Sequence, residues 1–523
     1  MKLTKTVLCA ALCVAVFVAN EAGAKTWDIP APDGIGDVVA LTNACKNCGN
    51  SDTISLAAGL YDLSGVSMKS ASYTSHLAIG GKTGIKIQGA EGTTREDVIL
   101  KGGGEATKLR IISCDRKTTF RGLTFTGGYA SGSGGVYSSD GSGANDPRST
   151  VFRDCIFSNN YASSIASVLY RVNIVSNCLF IANRSAGSSV VELAATAPRA
   201  IDCDFICNTG DYKTVSIGGS FFHCNFVSNV SARTSADSTM IACILNGIGC
   251  ANDCEFIDNQ IKGENGELKF VGLVYGANAF TNCVFRGNSS QVGAVAQTVG
   301  ALVDCMVVSN VCKNGGLLKS YDSVVGNVLR CTFVGNRASG RLVYDTSQKF
   351  KLNNCLFLDN CTTNGNTGAT LANGVTARNC TVIGQVNKET QVFGSDSVLV
   401  NTLIYGSYAH DVSQAASATM TNCMWGVQNS SDPVPKTKAV DCIWLKGRDP
   451  RFVDPAKGDF RLQRGSIARN AGYQDEAYLA AVGPVDLGKS PRVYEGDGSA
   501  KAIIDIGCYE CQLPAPGLMM LVR

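Results

Sequence analysis

One short unit recurs along the chain and restricts what the chain can fold into. It consists of a polar residue, Cys, any residue, Phe, two further residues and Asn, and nine copies lie between residues 154 and 360. The first copy reads DCIFSNN and the ninth NCLFLDN, and successive cysteines are 21 to 30 residues apart. Recurrence at such a period indicates a repeat architecture and not a set of unrelated domains.

Each copy predicts a short β-strand. Cys and Phe lie two positions apart, so both side chains point to one face of a strand. The Asn falls where a turn is expected, and asparagine tolerates the left-handed conformation and bonds neighbouring backbone. One such strand per 21 to 30 residues predicts an all-β, single-stranded parallel β-helix, with right-handed winding. Helical repeats would need apolar spacings of three and four over longer stretches, which the units lack.

Stacked coils place equivalent residues in columns about 4.8 Å apart. Cysteines in such a column act as small buried hydrophobes, mostly as free thiols, because parallel side chains give poor disulfide geometry. The predicted columns comprise Cys155, Cys178, Cys203, Cys224, Cys254, Cys283, Cys305, Cys331, Cys355 and Cys380; Phe157, Phe180, Phe205, Phe226, Phe256, Phe285, Phe333 and Phe357; and Asn160, Asn183, Asn208, Asn229, Asn259, Asn288, Asn310, Asn336 and Asn360.

The repeat region has distinct flanks. Residues 1–24 read as a secretory signal peptide, with Lys2 and Lys5, an apolar stretch and Ala22-Gly23-Ala24 before the expected cleavage. Residues 25–126 predict an N-terminal cap, including a helix near 37–44, and irregular first coils. Residues 127–447 form the repeat region and begin with a Gly- and Ser-rich stretch, 127–147, expected to be an exposed loop. Residues 448–513 predict a C-terminal cap, and 514–523 a short apolar tail.

The composition restricts the classes of partner that the protein can bind. The net charge is +3, from 46 basic and 43 acidic residues, and no basic block occurs, which argues against nucleic acid as a partner. No later stretch is long and apolar enough to predict a transmembrane domain in the mature chain. The sequence therefore predicts a secreted or cell-surface protein, expected to be a monomer.

Two segments carry a family resemblance. The C-terminal stretch ends in IDIGCYE, 504–510, and resembles the VDIGAYE-type ending of secreted bacterial right-handed parallel β-helix repeat proteins, with Cys508 in place of the usual Ala. The Phe-x-x-Asn elements, such as Phe157–Asn160, resemble those of chlamydial-type polymorphic outer membrane proteins. The resemblance implies a β-helix with two kinds of relative: carbohydrate-active enzymes, and adhesins or other surface binders.

One group of side chains predicts a site. The residues before and after each repeat Cys are expected to face outward, and over three coils they include Asp202, Asp204, His223, Asp253 and Glu255. Stacking would gather four carboxylates and an imidazole on one patch, which suits Ca²⁺ or a crowded carboxylate. The alternative is a solvated polar strand face. No cofactor other than calcium is expected.

The sequence favours a binding function. The NTD, DD, HG and RIK series of pectin hydrolases is missing, and none of the three histidines lies in an HG motif. The interpretation is an adhesin-like or glycan-contacting rod without catalysis, whose partner is a polysaccharide or a host or neighbouring surface. The alternative is a carbohydrate-active enzyme, a polysaccharide lyase or glycoside hydrolase acting on an acidic polysaccharide. A purely structural envelope spacer is a third possibility.

Overall fold

The computed structural model describes residues 23–512 except for a set of short segments. The segments left out are 71–72, 140–148, 164–165, 188, 194–197, 234–242, 264–271, 292, 294, 321–325, 346–349, 364–368, 386–390, 408–417, 428–437, 446 and 495–501. The predicted signal peptide, apart from Gly23 and Ala24, and the predicted tail also lie outside the described residues.

The chain winds as a parallel β-helix, which confirms the predicted fold class. Within the described residues, forty-two strands join into one sheet that wraps around the rod, and ten short strands form a second sheet along one edge. The pairings between successive coils are parallel, and the repeat strands pair in register, as in the match of Phe180 to Phe205 and of Phe205 to Phe226; register shifts occur between return strands, as between Ala166–Val172 and Ser189–Leu193. None of the described helices is long and apolar enough to span a membrane.

Each repeat coil contains four strand positions, called here lead, repeat, short and return. The lead strands precede the repeat Cys: Ile174–Ser176, Arg199–Ile201, Ser220–Phe222, Asn327–Leu329, Lys351–Asn353, Thr376–Arg378, Val398–Val400, Thr419–Thr421 and Lys438–Val440. The repeat strands contain the Phe position: Leu179–Ile181, Asp204–Ile206, Asn225–Val227, Glu255–Ile257, Val284–Arg286, Met306–Val308, Thr332–Val334, Leu356–Leu358, Thr381–Ile383, Leu403–Ser407, Met424–Val427 and Ile443–Trp444.

The other two positions close the coil. The short strands follow the Asn: Tyr129–Ala130, Tyr161–Ala162, Arg184–Ser185, Thr209–Gly210, Val230–Arg233, Gln260–Gly263, Ser289–Ser290, Val311–Cys312, Arg337–Ala338 and Cys361–Thr362. The return strands are Tyr137–Ser139, Ala166–Val172, Ser189–Leu193, Lys213–Ile217, Leu318–Ser320, Val343–Asp345, Ala369–Ala372 and Gln391–Phe393. Four longer strands each cover two consecutive strand positions of a coil: Val151–Ser158, Cys243–Asn252, Val274–Thr281 and Ala296–Val303.

The first coils are less regular but belong to the same rod. Their strands are Thr26–Ile29, Thr53–Leu56, Gly59–Asp62, Met68–Lys69, Thr74–Ile79, Ile85–Gly89, Val98–Lys101, Arg110–Cys114 and Thr118–Thr126. A helix at Val38–Asn47, capped by the Asp37 side chain, lies where the sequence predicts one. The expectation of an exposed loop over 127–147 is wrong for its described part, because Tyr129–Ala130 and Tyr137–Ser139 are strands and Tyr137 is fully buried.

The phenylalanines form a stacked column inside the rod. The rings of Phe157, Phe180 and Phe205 lie nearly parallel, with centroids 4.6 and 4.7 Å apart, and each is fully buried. The column is interrupted at Val307 and resumes with Phe333 and Phe357, 4.8 Å apart. Offset stacking of this kind adds to the burial energy of each ring.

The cysteine column lies beside it. All 22 cysteines from Cys45 onward are free thiols. The repeat cysteines are buried, and each thiol donates to the carbonyl two residues earlier, as Cys178 does to Ser176 at 3.2 Å. Burial raises the pKa of the Cys178 and Cys203 thiols. Thr402 takes the column position after Cys380 and makes the same contact through its hydroxyl, to the carbonyl of Val400.

The C-terminal segment, residues 448–512, folds back along the outer flank of the last coils. It contains the strands Phe452–Asp454 and Asp459–Leu462 and the helix Glu476–Val482; the other short helices within the described residues are Pro32–Gly34, Gly104–Thr107 and Pro455–Lys457. Its residues Phe452, Phe460 and Ile506 form a second buried cluster with outward side chains of the repeat strands, Leu356, Ile383, Leu403 and Met424. The cap therefore covers the side of the rod.

Candidate functional site

The residue before each repeat Cys forms a sharp corner between the lead and repeat strands. Asp202, His223 and Asp253 have φ values of 53°, 51° and 53° there, in the left-handed region. Asp, Asn and His are the non-glycine residues that enter this region most readily, which explains why they dominate the position. The sequence predicts that these residues face outward beside the strand, whereas in the structure they are turn residues with positive φ.

We call the line of corner residues along the rod the corner row; its first eight residues alternate between acceptors and donors, and its last four are all Asn. From the first repeat coil the row consists of Asp154, Asn177, Asp202, His223, Asp253, Asn282, Asp304, Arg330, Asn354, Asn379, Asn401 and Asn422. Asn177 donates to Asp154, and Asn282 donates to Asp253, each at 2.5 Å. Arg330 bonds both oxygens of Asp304, at 2.7 and 3.1 Å.

His223 lies between two carboxylates of the row. Its Nδ1 is 3.2 Å from Asp202 Oδ1 and its Nε2 is 3.7 Å from Asp253 Oδ2. The three side chains are well exposed, at 61% for His223, 60% for Asp202 and 46% for Asp253. Exposed pairs of this kind contribute little to stability, so the left-handed backbone accounts for Asp, Asn or His at each corner, but the ion pairs give little reason for His223 to lie between two carboxylates.

Asp204 and Glu255 belong to the neighbouring column on the repeat strands. Asp204 pairs in register with Asn225, which pairs with Glu255 on the following coil. Asn225 Nδ2 donates to Asp204 Oδ1 at 2.8 Å. The structure thus brings the five predicted site residues onto one outer face, in two adjacent columns. Among the residues that the structure describes, no group of three or more His, Cys, Asp and Glu side chains is arranged to hold a metal ion.

The row is open in one part and covered in another. From Asn354 onward the C-terminal segment lies over it: Asn354 donates to the carbonyl of Val482, at 2.7 Å, and Asn401 to that of Tyr473, at 2.8 Å. Asn379 and Asn422 make equivalent bonds to the same segment. Asn177, Asp202, His223, Asp253 and Asn282 are exposed, and we call these five residues the open row.

Sequence reasoning missed part of this site. Asp154, Asn177 and Asn282 extend the row beyond the predicted patch and supply its donors and further acceptors. Their signal was present in the sequence, since each occupies the position before a repeat Cys. The ladder asparagines, in contrast, are not surface groups: Asn160, Asn183 and Asn208 are at most 1% exposed.

Comparisons with known proteins give low similarity. No family model matches the chain, and no curated protein matches it. Among solved structures, it is similar to the catalytic unit of a GH87 α-1,3-glucanase from Streptomyces thermodiastaticus, at 12% identity and a TM-score of 0.27, covering 81% of this chain and 68% of that one.

Two further structures differ in their stated roles. A mannuronic acid-specific polysaccharide family 6 lyase from human gut microbiota is 10% identical, with a TM-score of 0.28, covering 80% of this chain and 91% of that one. PfbA, a surface adhesin of Streptococcus pneumoniae, is 8% identical, with a TM-score of 0.25, covering 79% and 94%. Identities and TM-scores of this size carry no functional argument.

Proposed function

We propose that the protein is an extracellular, non-catalytic binding rod that holds a polysaccharide without negative charge along the open row. The observation that carries the proposal is His223 exposed between Asp202 and Asp253, in a line of alternating donors and acceptors. Such a line, repeating about every 4.8 Å, offers hydrogen-bonding partners for the hydroxyl groups of an extended sugar chain.

The charge of this face selects among polymers. Asp154, Asp202, Asp204, Asp253 and Glu255 all lie on it or on its edge. Five carboxylates at this spacing repel a polyanion and attract a cationic one, and salt weakens both effects for exposed groups. The face therefore favours a neutral or cationic polysaccharide over the acidic one that the sequence suggested as an enzyme substrate.

The arrangement of the carboxylates supports binding over hydrolysis. Asp202 and Asp253 are two coils apart, which is about 9.6 Å at a coil rise of about 4.8 Å, and His223 lies between them. Inverting glycosidases hold their two carboxyl groups about 6.5–9.5 Å apart with room for a water between them, whereas here the imidazole of His223 occupies the space between the carboxylates. Asp204 is in turn engaged by Asn225, so these carboxylates are held as hydrogen-bond acceptors.

The test is a retention and cleavage screen on the purified chain. Neutral, cationic and acidic polysaccharides are set into native gels, and the same mixtures are assayed for unsaturated products and new reducing ends. We expect retention by a neutral or cationic polymer and no cleavage. The variant with His223→Ala and Asp253→Asn should lose retention about tenfold, while Glu91→Gln, at an exposed carboxylate on the first coils, should not.

Other outcomes assign a different function. Cleavage that Asp202→Asn or Asp253→Asn abolishes would replace the binding function with the carbohydrate-active enzyme. Retention only by acidic polymers would contradict the charge argument. If the chain shows neither retention nor cleavage, the remaining functions are a protein-binding adhesin and a structural spacer.

A further inference from the structure

The backbone nitrogen of Lys25 meets a buried carboxylate. Its N–H donates to Asp52 Oδ1 at 2.8 Å, and the side chain of Asp52 is only 4% exposed. The other oxygen of Asp52 accepts from the indole of Trp27 at 2.9 Å and from the backbone of Gly49 at 2.7 Å. One carboxylate thus joins the first strand, Thr26–Ile29, to the turn that precedes the second strand, Thr53–Leu56.

Lys25 is also the first residue that remains after the predicted cleavage of the leader. Gly23, Ala24 and Lys25 are exposed, so the Ala24–Lys25 peptide bond is accessible to a protease. Residues 1–22 lie outside the described part of the chain. The small residues Ala22 and Ala24 occupy the positions that a signal peptidase requires.

We propose that cleavage between Ala24 and Lys25 completes the fold, because the new α-ammonium group of Lys25 forms an ion pair with the buried carboxylate of Asp52. A signal peptidase adds water across this amide bond, so that Ala24 keeps the new carboxylate and the released amine of Lys25 takes up a proton. Before cleavage the Lys25 nitrogen is an amide that donates one hydrogen bond to Asp52; after cleavage it is a cation at the same position. The inference is independent of the polysaccharide proposal.

The surroundings of Asp52 suit an incoming cation. Burial raises the pKa of Asp52, but hydrogen bonds from the Lys25 backbone, the Trp27 side chain and the Gly49 backbone outweigh burial and hold the pKa below its ordinary value. The charged or titratable groups nearby are the Cys48 thiol, whose pKa is raised by burial and by Asp52, and the side chains of Lys25 and Lys82. The Lys25 side-chain ammonium lies 3.6 Å from the centre of the Trp27 ring, and its charge also lowers the pKa of Asp52, while the backbone nitrogen of Lys25 makes the hydrogen bond to Asp52 Oδ1.

The pair would fix the first coil. The carbonyl of Lys25 accepts from the backbone of Thr53 at 2.9 Å, and Thr26–Ile29 pairs in register with Thr53–Leu56. Helix Val38–Asn47 ends beside this coil and buries Cys45, and Cys48 is buried just beyond it. Because an end coil of a solenoid has a neighbour on one side only, a bond at its chain end has a large effect on local opening.

The test compares chains that differ only at the N-terminus. One begins at Lys25, and the other begins at Gly23 and so keeps an amide at Lys25. The α-amino pKa of each is read from the pH dependence of reductive methylation, followed by mass spectrometry of the N-terminal peptide. Free α-amino groups have a pKa of about 7.7–8.0. We expect a value about one unit higher for Lys25 and an ordinary value for Gly23.

Substitutions and a second readout separate the ion pair from other effects. Asp52→Asn should return the Lys25 α-amino group to its ordinary pKa, and Asp28→Asn, at an exposed residue of the same strand, should not. Cys45 and Cys48 alkylation measures opening of the first coil, and the chain that begins at Gly23 should react about tenfold faster, the equivalent of one pKa unit.

Three results would overturn the proposal. They are an ordinary pKa at Lys25 in the wild-type chain, equal alkylation rates for the two chain starts, and a secreted chain whose N-terminus is not Lys25. If the Asp52→Asn variant does not fold, the comparison between the chain that begins at Lys25 and the chain that begins at Gly23 still tests the proposal, since both keep Asp52.

Discussion

Asn208 Oδ1 accepts two hydrogen bonds from Asn183 on the preceding coil, one from its backbone nitrogen and one from its Nδ2, both at 3.0 Å. The second Nδ2 hydrogen of a ladder asparagine goes to a backbone carbonyl one coil back, as from Asn208 to Phe180 at 2.9 Å and from Asn336 to Val307 at 2.8 Å. Asn208 thereby makes four side-chain hydrogen bonds inside the rod, two through its amide oxygen and two through Nδ2.

Replacing a central ladder residue should be costly. Asn259→Ala removes the acceptor for the Asn229 backbone and side chain and the donor to the Phe226 carbonyl. Buried polar groups left without partners cost about 1–3 kcal/mol each, so we expect a loss of about 3 kcal/mol or more in urea unfolding. Asn278→Ala, at an exposed position, is the control, and equal unfolding curves for the two variants would contradict the ladder.

The phenylalanine column gives a second stability test. Phe285 stacks on Phe256 with centroids 4.8 Å apart and meets Phe280 edge to face at 5.3 Å. Truncation of a buried Phe costs about 3–5 kcal/mol because it leaves a cavity. We expect that loss for Phe285→Ala in urea unfolding, and a much smaller one for the neighbouring, partly exposed Val284→Ala. A loss near zero at Phe285 would place this face outside the rod.

The repeat made most of the coil predictable from the sequence. Cys and Phe two apart predict one buried strand face, and the fixed position of Asn predicts a third column. The sequence did not predict that the corner-row residues form turns. A polar residue in a turn just before a strand cannot be distinguished by sequence from a polar, outward-facing residue within the strand. The left-handed φ at Asp202 is visible only in the backbone. The asparagine was likewise expected to occupy the turn, whereas the residue before it, such as Ala182, has the positive φ.

The path of the C-terminal segment could not be predicted. Its contacts join residues far apart in the chain: Asn379 to Asp505 across 126 positions, and Arg492 to Asn354 across 138. The segment has no period that would fix its position, and an apolar stretch there fits an end cap as well as a side cover. Hence the sequence predicted a patch at 202–255, but it could not show that the C-terminal segment covers the same row from Asn354 onward.

The buried carboxyl groups of the IDIGCYE stretch, 504–510, predict that the contact between the C-terminal segment and the rod depends on pH. Burial, and then Asp505, raise the pKa of Glu510 to about 9, and burial raises the pKa of Asp505 to about 6. Arg492, fully buried, lies 3.6 Å from Glu510. A carboxyl whose pKa is higher in the folded state favours folding below its ordinary value and loses that contribution as pH rises through the folded value. The contact of the segment should therefore weaken from about pH 5 to pH 9.

Hydrogen exchange of residues 505–511 measures this weakening. Between about pH 6.5 and 8.5, where Asp505 is already ionised, the opening constant should rise about tenfold per pH unit after correction for intrinsic rates. Glu510→Gln imitates the protonated acid and should remove most of the rise, whereas Glu476→Gln, at an exposed residue of the same segment, should not. A rise of the same slope in Glu510→Gln would assign the pH dependence to another group.

Calcium binding at the open row remains a prediction of the sequence. The carboxylates of Asp202 and Asp253 lie on alternate coils with His223 between them, so a Ca²⁺ ion would contact one of them together with water. Calcium prefers six to eight oxygen ligands, and we therefore expect weak binding, about millimolar, by titration calorimetry. Asp202→Asn combined with Asp253→Asn should abolish it and Glu91→Gln should preserve it, while unchanged affinity in the double variant would exclude the row as the calcium site.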